Sequence, residues 1–348
     1  MADILIRTTG RAGRITLNRP EALNALTYEM CSEIEAALDV WRDDDAVALV
    51  IIDAAGERAF CAGGDIQEMY ASGTKGDYSY GRRFWADEYR LNAKIAEYPK
   101  PYVALMQGFT MGGGVGVSCH GSHRIVGETS SIAMPECGIG LVPDVGGSLL
   151  LSRAPGYLGA FYGITGARMN ASDAIHAGFA DVFVAEMDWA DLIAALSESG
   201  DVGGIEDFAA PYFASTHAGR QAEIDLLFGA DSLAAVEANL KTAKTDVARA
   251  ALEALGRNSP LSMAVTFEMI RRLGRDAMIR DALAQEYRYT WRAMEHGDFL
   301  EGIRAAIIDK DRSPNWRHGC IAEVPATDID KMLAPLGAAG LDLKEQLA

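Results

Sequence analysis

The chain has 348 residues, 49% of them hydrophobic and 23% charged, a globular balance with length for one large domain or two ordinary ones. Its 49 acidic residues outnumber 32 Lys and Arg, giving a net charge of −17. A surface that acidic argues against nucleic acid as a partner, though not against a small anion held by a few local bases and amides.

Residues 3–7 (DILIR) and 14–18 (RITLN) read as short strands split by a glycine turn, a start without the apolar block of a signal peptide. Residues 26–41 have helical spacing, with Met30, Ile34, Leu38 and Trp41 on one face and Thr27 as N-cap. VALVIID (47–53) and PYVALMQG (101–108) are continuous apolar runs of buried strands. Between them FWADEYRLNAKIAEY has helical spacing that Pro99 and Pro101 end. Strand and helix alternate, which predicts an α/β architecture. Near 198–206 (ESGDVGGIE) the composition turns to glycine and acid, and the pattern beyond is helical. These shifts predict an α/β core over residues 1–200 and a helical C-terminal region over 201–348.

No apolar run approaches the roughly 20 residues that span a bilayer, so no membrane association is expected. The five cysteines (Cys31, Cys61, Cys119, Cys137, Cys320) are odd in number and lack C-x-x-C spacing. That usage predicts free thiols and a cytoplasmic location. The six histidines form no zinc-ligand pattern, so no metal is expected.

Two glycine-rich turns, AFCAGGDIQEM (59–69) and GFTMGGGVGVSCHG (108–121), each follow a strand-like run and open into a helix-like one. Amides at such junctions lack intrahelical partners and suit an anion or a developing oxyanion. Neither G-x-x-x-x-G-K-[ST] nor G-x-G-x-x-G occurs, which disfavours a nucleotide loop. In M-P-E-C-G-I-G-L-V-P-D-V-G-G (134–147), Glu136 and Asp144 stand among apolar residues, proline and glycine. They are either two solvated loop acids or a pair kept for chemistry, since burying a charge without use or partner is costly.

Taken in order, NRPEALNAL (18–26), AFCAGGDI (59–66), QGFTMGGGVGVS (107–118), M-P-E (134–136) and PDVGG (143–147) resemble the enoyl-CoA hydratase/isomerase (crotonase) superfamily. SCHGSHRIV (118–126) and the tail from 286 to 316 are similar to its 3-hydroxyisobutyryl-CoA hydrolase subgroup. The resemblance implies a crotonase-like spiral of ββα turns capped by C-terminal helices. It implies a backbone oxyanion hole at Gly64 and Gly113, with Ala22, Ala62, Asp65 and Ile66 as coenzyme A contacts and Lys310 as a weaker candidate for its phosphate. Hydratases of the family carry a Glu where this chain has Gly116, and keep the one that is Glu136 here. With Asp144 added, the Glu and Asp pair is what hydroxyacyl-CoA hydrolases show.

The resemblance thus implies hydrolysis of a 3-hydroxyacyl-CoA thioester in valine breakdown, with an acyl-CoA substrate and no separate cofactor. An enoyl-CoA hydratase or isomerase is the alternative, and a non-catalytic acyl-CoA-binding protein a further one. Glu136 is either nucleophile or general base. Asp144 holds the substrate hydroxyl, orients water, raises the pKa of Glu136 by like-charge proximity, or merely caps the turn. Asp65 either caps the next helix or touches ligand, and His120 and Arg124 read as structural. Cys61 and Cys137 read as small buried residues. Family hydratases assemble as trimers and hexamers, which leaves a homo-oligomer open.

Overall fold

The computed structural model describes residues 2–212, 215–274 and 276–343. The chain divides into two compact units, each built from three separate stretches. One comprises Met1–Asp65, Arg90–Ala133 and Arg168–Gly219; the other comprises Ile66–Tyr89, Met134–Ala167 and Arg220–Ala348. The units therefore do not part at the expected boundary near 200. Two stretches of the expected core are grouped with the C-terminal region.

The first unit holds the strands. β1 (Ile4–Thr9) and β2 (Ala12–Leu17) form an antiparallel hairpin, and β3 (Leu49–Ala54) lies parallel to β2. β4 (Ala59–Cys61), β5 (Tyr102–Met106), β6 (Phe109–Met111), β7 (His123–Val126), β8 (Ser131–Ala133) and β9 (Val182–Phe183) follow. One sheet has the order β1-β2-β3-β5-β7-β9 and the other β4-β6-β8. Each successive pair (β3 and β4, β5 and β6, β7 and β8) gives one strand to each sheet, always in parallel. The chain thus winds as a spiral of ββα turns, as expected. Its core is an aliphatic cluster of Ala12, Leu49, Ile51, Val103, Leu105 and Ile125, closed by Leu192 and Leu196.

Helix α1 (Tyr28–Arg42) begins where expected, because the Thr27 side chain accepts from the Met30 N–H. α2 (Gln67–Gly73) and α3 (Ser79–Ala96) follow β4, and α4 (Gly113–Ser118) follows β6. α3 starts five residues earlier than the apolar spacing predicts, since Asp77 accepts from both the Ser79 N–H (2.9 Å) and its hydroxyl (2.7 Å). A capping Asp of this kind fixes a helix start independently of hydrophobic pattern.

The second unit is helical. Its elements include α5 (Gly147–Arg153) and the long helix Ile279–His296. Ala282, Leu283, Glu286, Tyr287, Thr290, Ala293 and Met294 are buried along that long helix. The first part of α3 packs on it closely enough that a Cβ at Gly81 would lie 2.5 Å from the Met294 methyl. Beyond residue 200 the regular elements among the described residues are helices, apart from an isolated bridge between Val184 and Ala209.

Candidate functional site

β4 and β6 are paired in parallel, with Cys61 opposite Thr110. Gly64 lies three residues beyond Cys61 and Gly113 three residues beyond Thr110, so both glycines follow paired strand residues at the same interval. A Cβ at Gly114 would lie 2.5 Å from the Cys61 carbonyl oxygen, which is why the start of α4 can sit against β4 only as glycine. Gly113 is the first residue of α4, where an N–H has no intrahelical acceptor. Among the described residues neither the Gly64 nor the Gly113 N–H meets a backbone acceptor. Two unspent amides at matched positions are what an oxyanion requires.

The candidate coenzyme A contacts of this unit lie together. The Ala62 N–H donates to Leu23 O (3.0 Å), Leu26 N–H to Gly63 O (2.9 Å) and Asp65 N–H to Leu26 O (2.7 Å). This brings the loop after Ala22 alongside the Ala62–Asp65 turn. Asn24, which the sequence did not single out, fastens that loop. Its left-handed backbone (φ 55°) is buried, and its amide nitrogen donates to Ala55 O and Ala59 O, both at 2.9 Å. Asp65 does not cap α2, whose N-cap is Ile66; its carboxylate instead meets Arg19 at 3.2 Å. Ile66 and Lys310 belong to the other unit. Lys310 is exposed and has no hydrogen-bond or ion-pair partner among the described residues.

The acids are not solvated loop residues. Glu136 is 5% exposed and Asp144 4%. Glu136 opens a short 3-10 turn, Glu136–Ile139, and its Oε2 is buried without a partner among the described residues. The turn is pinned from behind: the Ser259 N–H donates to Cys137 O (2.9 Å), the Cys137 thiol to Gly163 O (3.4 Å), and Tyr289 Oη to Gly140 O (3.1 Å). Asp144 accepts from the Tyr89 hydroxyl at 2.7 Å. It makes no side-chain cap for α5, whose N-cap is Gly146, so the turn-capping alternative does not describe it.

Burial raises every acid in this unit's cluster. It lifts Asp144 to about 7, against the pull of the Tyr89 hydrogen bond. Glu136 is pushed well above the carboxylate range by burial, then by the charge of Asp144. Glu88 is raised by burial and Asp144 as well. Glu286 is lifted to about 8 by burial, although Ser148 and the Gly146 amide favour its charged form. An acid poised near neutrality is suited to general base or nucleophilic work.

Sequence reasoning missed Glu286 and Tyr89. The available signal was Glu286 at core-face spacing from Leu283 and Thr290, a place where an unpaired acid is out of character. Gly116 is buried in α4 and offers no carboxylate. Arg124 is structural as expected: it pairs with Asp181 and donates to Cys119 O (3.3 Å) at the end of α4. Cys61 and Cys137 are buried, and burial pushes the Cys137 thiol up to about 12. Such thiols are poor nucleophiles at neutral pH. Among the described residues no group of three His, Cys, Asp or Glu could hold a metal.

A ββα spiral with paired glycine amides past adjacent strand ends defines the enoyl-CoA hydratase/isomerase class, and the chain belongs to that family, whose sequence model matches residues 12–333. Within it the curated relatives include 3-hydroxyisobutyryl-CoA hydrolase, mitochondrial, from Gallus gallus, 39% identical over 98% of this chain and 91% of its own. The human protein of that name is 37% identical, over 97% of this chain and 90% of its own. Solved relatives include an enoyl-CoA hydratase from Rhodobacter sphaeroides 2.4.1, 58% identical with a TM-score of 0.92, covering 98% of this chain and all of its own. A carnitinyl-CoA dehydratase from Mycobacterium thermoresistibile is 40% identical with a TM-score of 0.94, covering 99% of this chain and all of its own.

Proposed function

We propose that the chain is an acyl-CoA thioester hydrolase that converts 3-hydroxyisobutyryl-CoA to 3-hydroxyisobutyrate and CoA, a step of valine breakdown. One observation carries this reading: a buried Glu136 and Asp144 pair of raised pKa, together with Gly116 where a hydratase needs its second Glu. The curated relatives called 3-hydroxyisobutyryl-CoA hydrolase support the substrate. In this reading the amides of Gly64 and Gly113 receive the thioester oxygen as it gains charge. Each such donor is worth roughly 10²–10³ in kcat. The thiol leaves as thiolate at little cost near neutral pH, because its pKa is about 8.5.

Glu136 acts in one of two ways. Its carboxylate attacks the carbonyl carbon, expels CoA thiolate and leaves a mixed anhydride that water opens; or it takes a proton from the water that attacks. Asp144 orients the substrate hydroxyl or that water. Ala22, Ala62, Asp65 and Ile66 line the coenzyme A path, and Lys310 meets a phosphate. No separate cofactor is called for. The five cysteines are thiols rather than disulfides, as suits a reducing compartment, and we place the protein in the cytoplasm, although the vertebrate relatives are called mitochondrial. No helix among the described residues is long and apolar enough to cross a membrane.

The names of the solved relatives favour a second reading, hydration of an enoyl-CoA. Thiol release from 3-hydroxyisobutyryl-CoA, set beside loss of enoyl absorbance from crotonyl-CoA, separates the two. Thiol release is expected, with Glu136→Gln and Asp144→Asn each slowing it by about 10²-fold or more. Enoyl turnover without thiol release, or full hydrolysis by both folded variants, would overturn the reading.

A further inference from the structure

The turn that carries Asp144 is held in an unfavourable backbone shape. Val145 has φ 52° and Gly146 φ 80°. A β-branched residue in the left-handed region costs energy and persists only where its surroundings over-determine it. What holds the turn is one side chain from the helix Ile279–His296, namely Glu286, which is fully buried. Its Oε2 accepts the Gly146 N–H at 2.8 Å, its Oε1 accepts the Ser148 N–H at 3.0 Å, and the Ser148 hydroxyl also donates to Oε1. The two carboxylate oxygens thus bracket Gly147 and fix the first turn of α5. The turn's other anchors are the 2.6 Å bond from Gly147 N–H to Asp144 O and the Tyr89 hydroxyl on the Asp144 carboxylate. Tyr89 is steadied by Thr290, one turn along from Glu286 on the same helix.

We infer that Glu286 is a positioning residue for the reaction: by bracketing the strained Val145–Ser148 backbone it fixes where the Asp144 carboxylate points. The carboxylate form does this best, because only it accepts three donors without offering a competing O–H. Fully buried acids are otherwise rare, and no basic side chain balances this one among the hydrogen bonds and ion pairs of the described residues. The groups that face it are Asp144 from the turn, Glu136 from the 3-10 turn, Tyr89 from α3, and Ser148 from α5. The charge of Glu286 therefore also bears on Glu136, at which it is a like-charge neighbour.

The inference rests on Asp144 acting in hydrolysis, so the test separates the two claims. Glu286→Gln keeps the volume but exchanges an acceptor for a donor that faces an N–H. In the full-length protein it should speed hydrogen exchange at the Gly146 and Ser148 amides, whether or not substrate is present. It should lower kcat for thiol release about 10-fold with KM within about twofold, as expected when a reacting group is misaligned rather than removed. Ser148→Ala, which deletes one donor and leaves both amides, should show a smaller loss. Unchanged exchange at those amides, or folded Glu286→Gln with wild-type kcat, would overturn the inference. Full activity of Asp144→Asn would instead overturn the role of Asp144 itself.

Discussion

The Tyr89 phenol governs how readily Asp144 ionises. Its 2.7 Å hydrogen bond favours the carboxylate, while burial opposes it. Tyr89→Phe removes that donor, so the Asp144 pKa rises and the acid limb of kcat/KM moves to higher pH. Asp144→Asn acts the other way on Glu136: a like charge disappears, the neighbour ionises more easily, and the limb of the residual activity moves down. Rates measured from about pH 5 to about pH 9 check both signs, since the limb reports the free enzyme's essential groups. At this scale the sequence marked out Glu136 and Asp144, which had no polar company to justify them, and both are buried. It could not disclose their anchors. The Gly146–Glu286 bond joins residues 140 positions apart, and no local pattern announces a contact of that span.

Among the elements, the junction of β4, β6 and α4 shows why glycine runs were informative. Gly114, in the first turn of α4, lies where backbone must approach backbone, and the requirement is steric. Gly114→Ala sets a methyl 2.5 Å from the Cys61 carbonyl oxygen, so the start of α4 must shift. The expected loss is about 1–3 kcal/mol of stability, read as a lowered midpoint in thermal denaturation, together with slower thiol release as the Gly113 amide moves. The long strands β3 and β5 were legible as apolar runs. β6 and β8, of three residues each, were not, since a run that short has no period to detect. α3 was placed but begun too late, because its start is set by Asp77 and the eye followed the apolar face.

For the molecule as a whole, Glu88, Glu136, Asp144 and Glu286 are all raised by burial, so the folded state holds protons that the unfolded chain releases. Groups of this kind support the fold fully below their unfolded pKa of about 4, and that support is lost as pH rises through the folded values. The values given for Asp144 and Glu286, about 7 and about 8, place that loss between about pH 4 and about pH 8. The thermal midpoint of the unliganded protein should therefore fall between about pH 5 and about pH 8. Glu88→Gln, which fills the same space without a charge to bury, should make the fall shallower. The division of the chain was the feature least visible in sequence. Composition marks linkers, whereas the chain here passes from one unit to the other at 65, 89, 133, 167 and 219, inside segments of ordinary composition.

The matched glycines past β4 and β6 have a consequence for how chemistry on this scaffold can change. The N–H groups of Gly64 and Gly113 belong to the main chain, and every residue except proline supplies one. Point substitution can crowd or displace these donors but rarely deletes them, so they are nearly invisible to mutation. The carboxylates, by contrast, are written in single codons. Divergence of reaction type should therefore run through positions such as 116, 136 and 144, with the electrophile-binding half of the chemistry inherited intact.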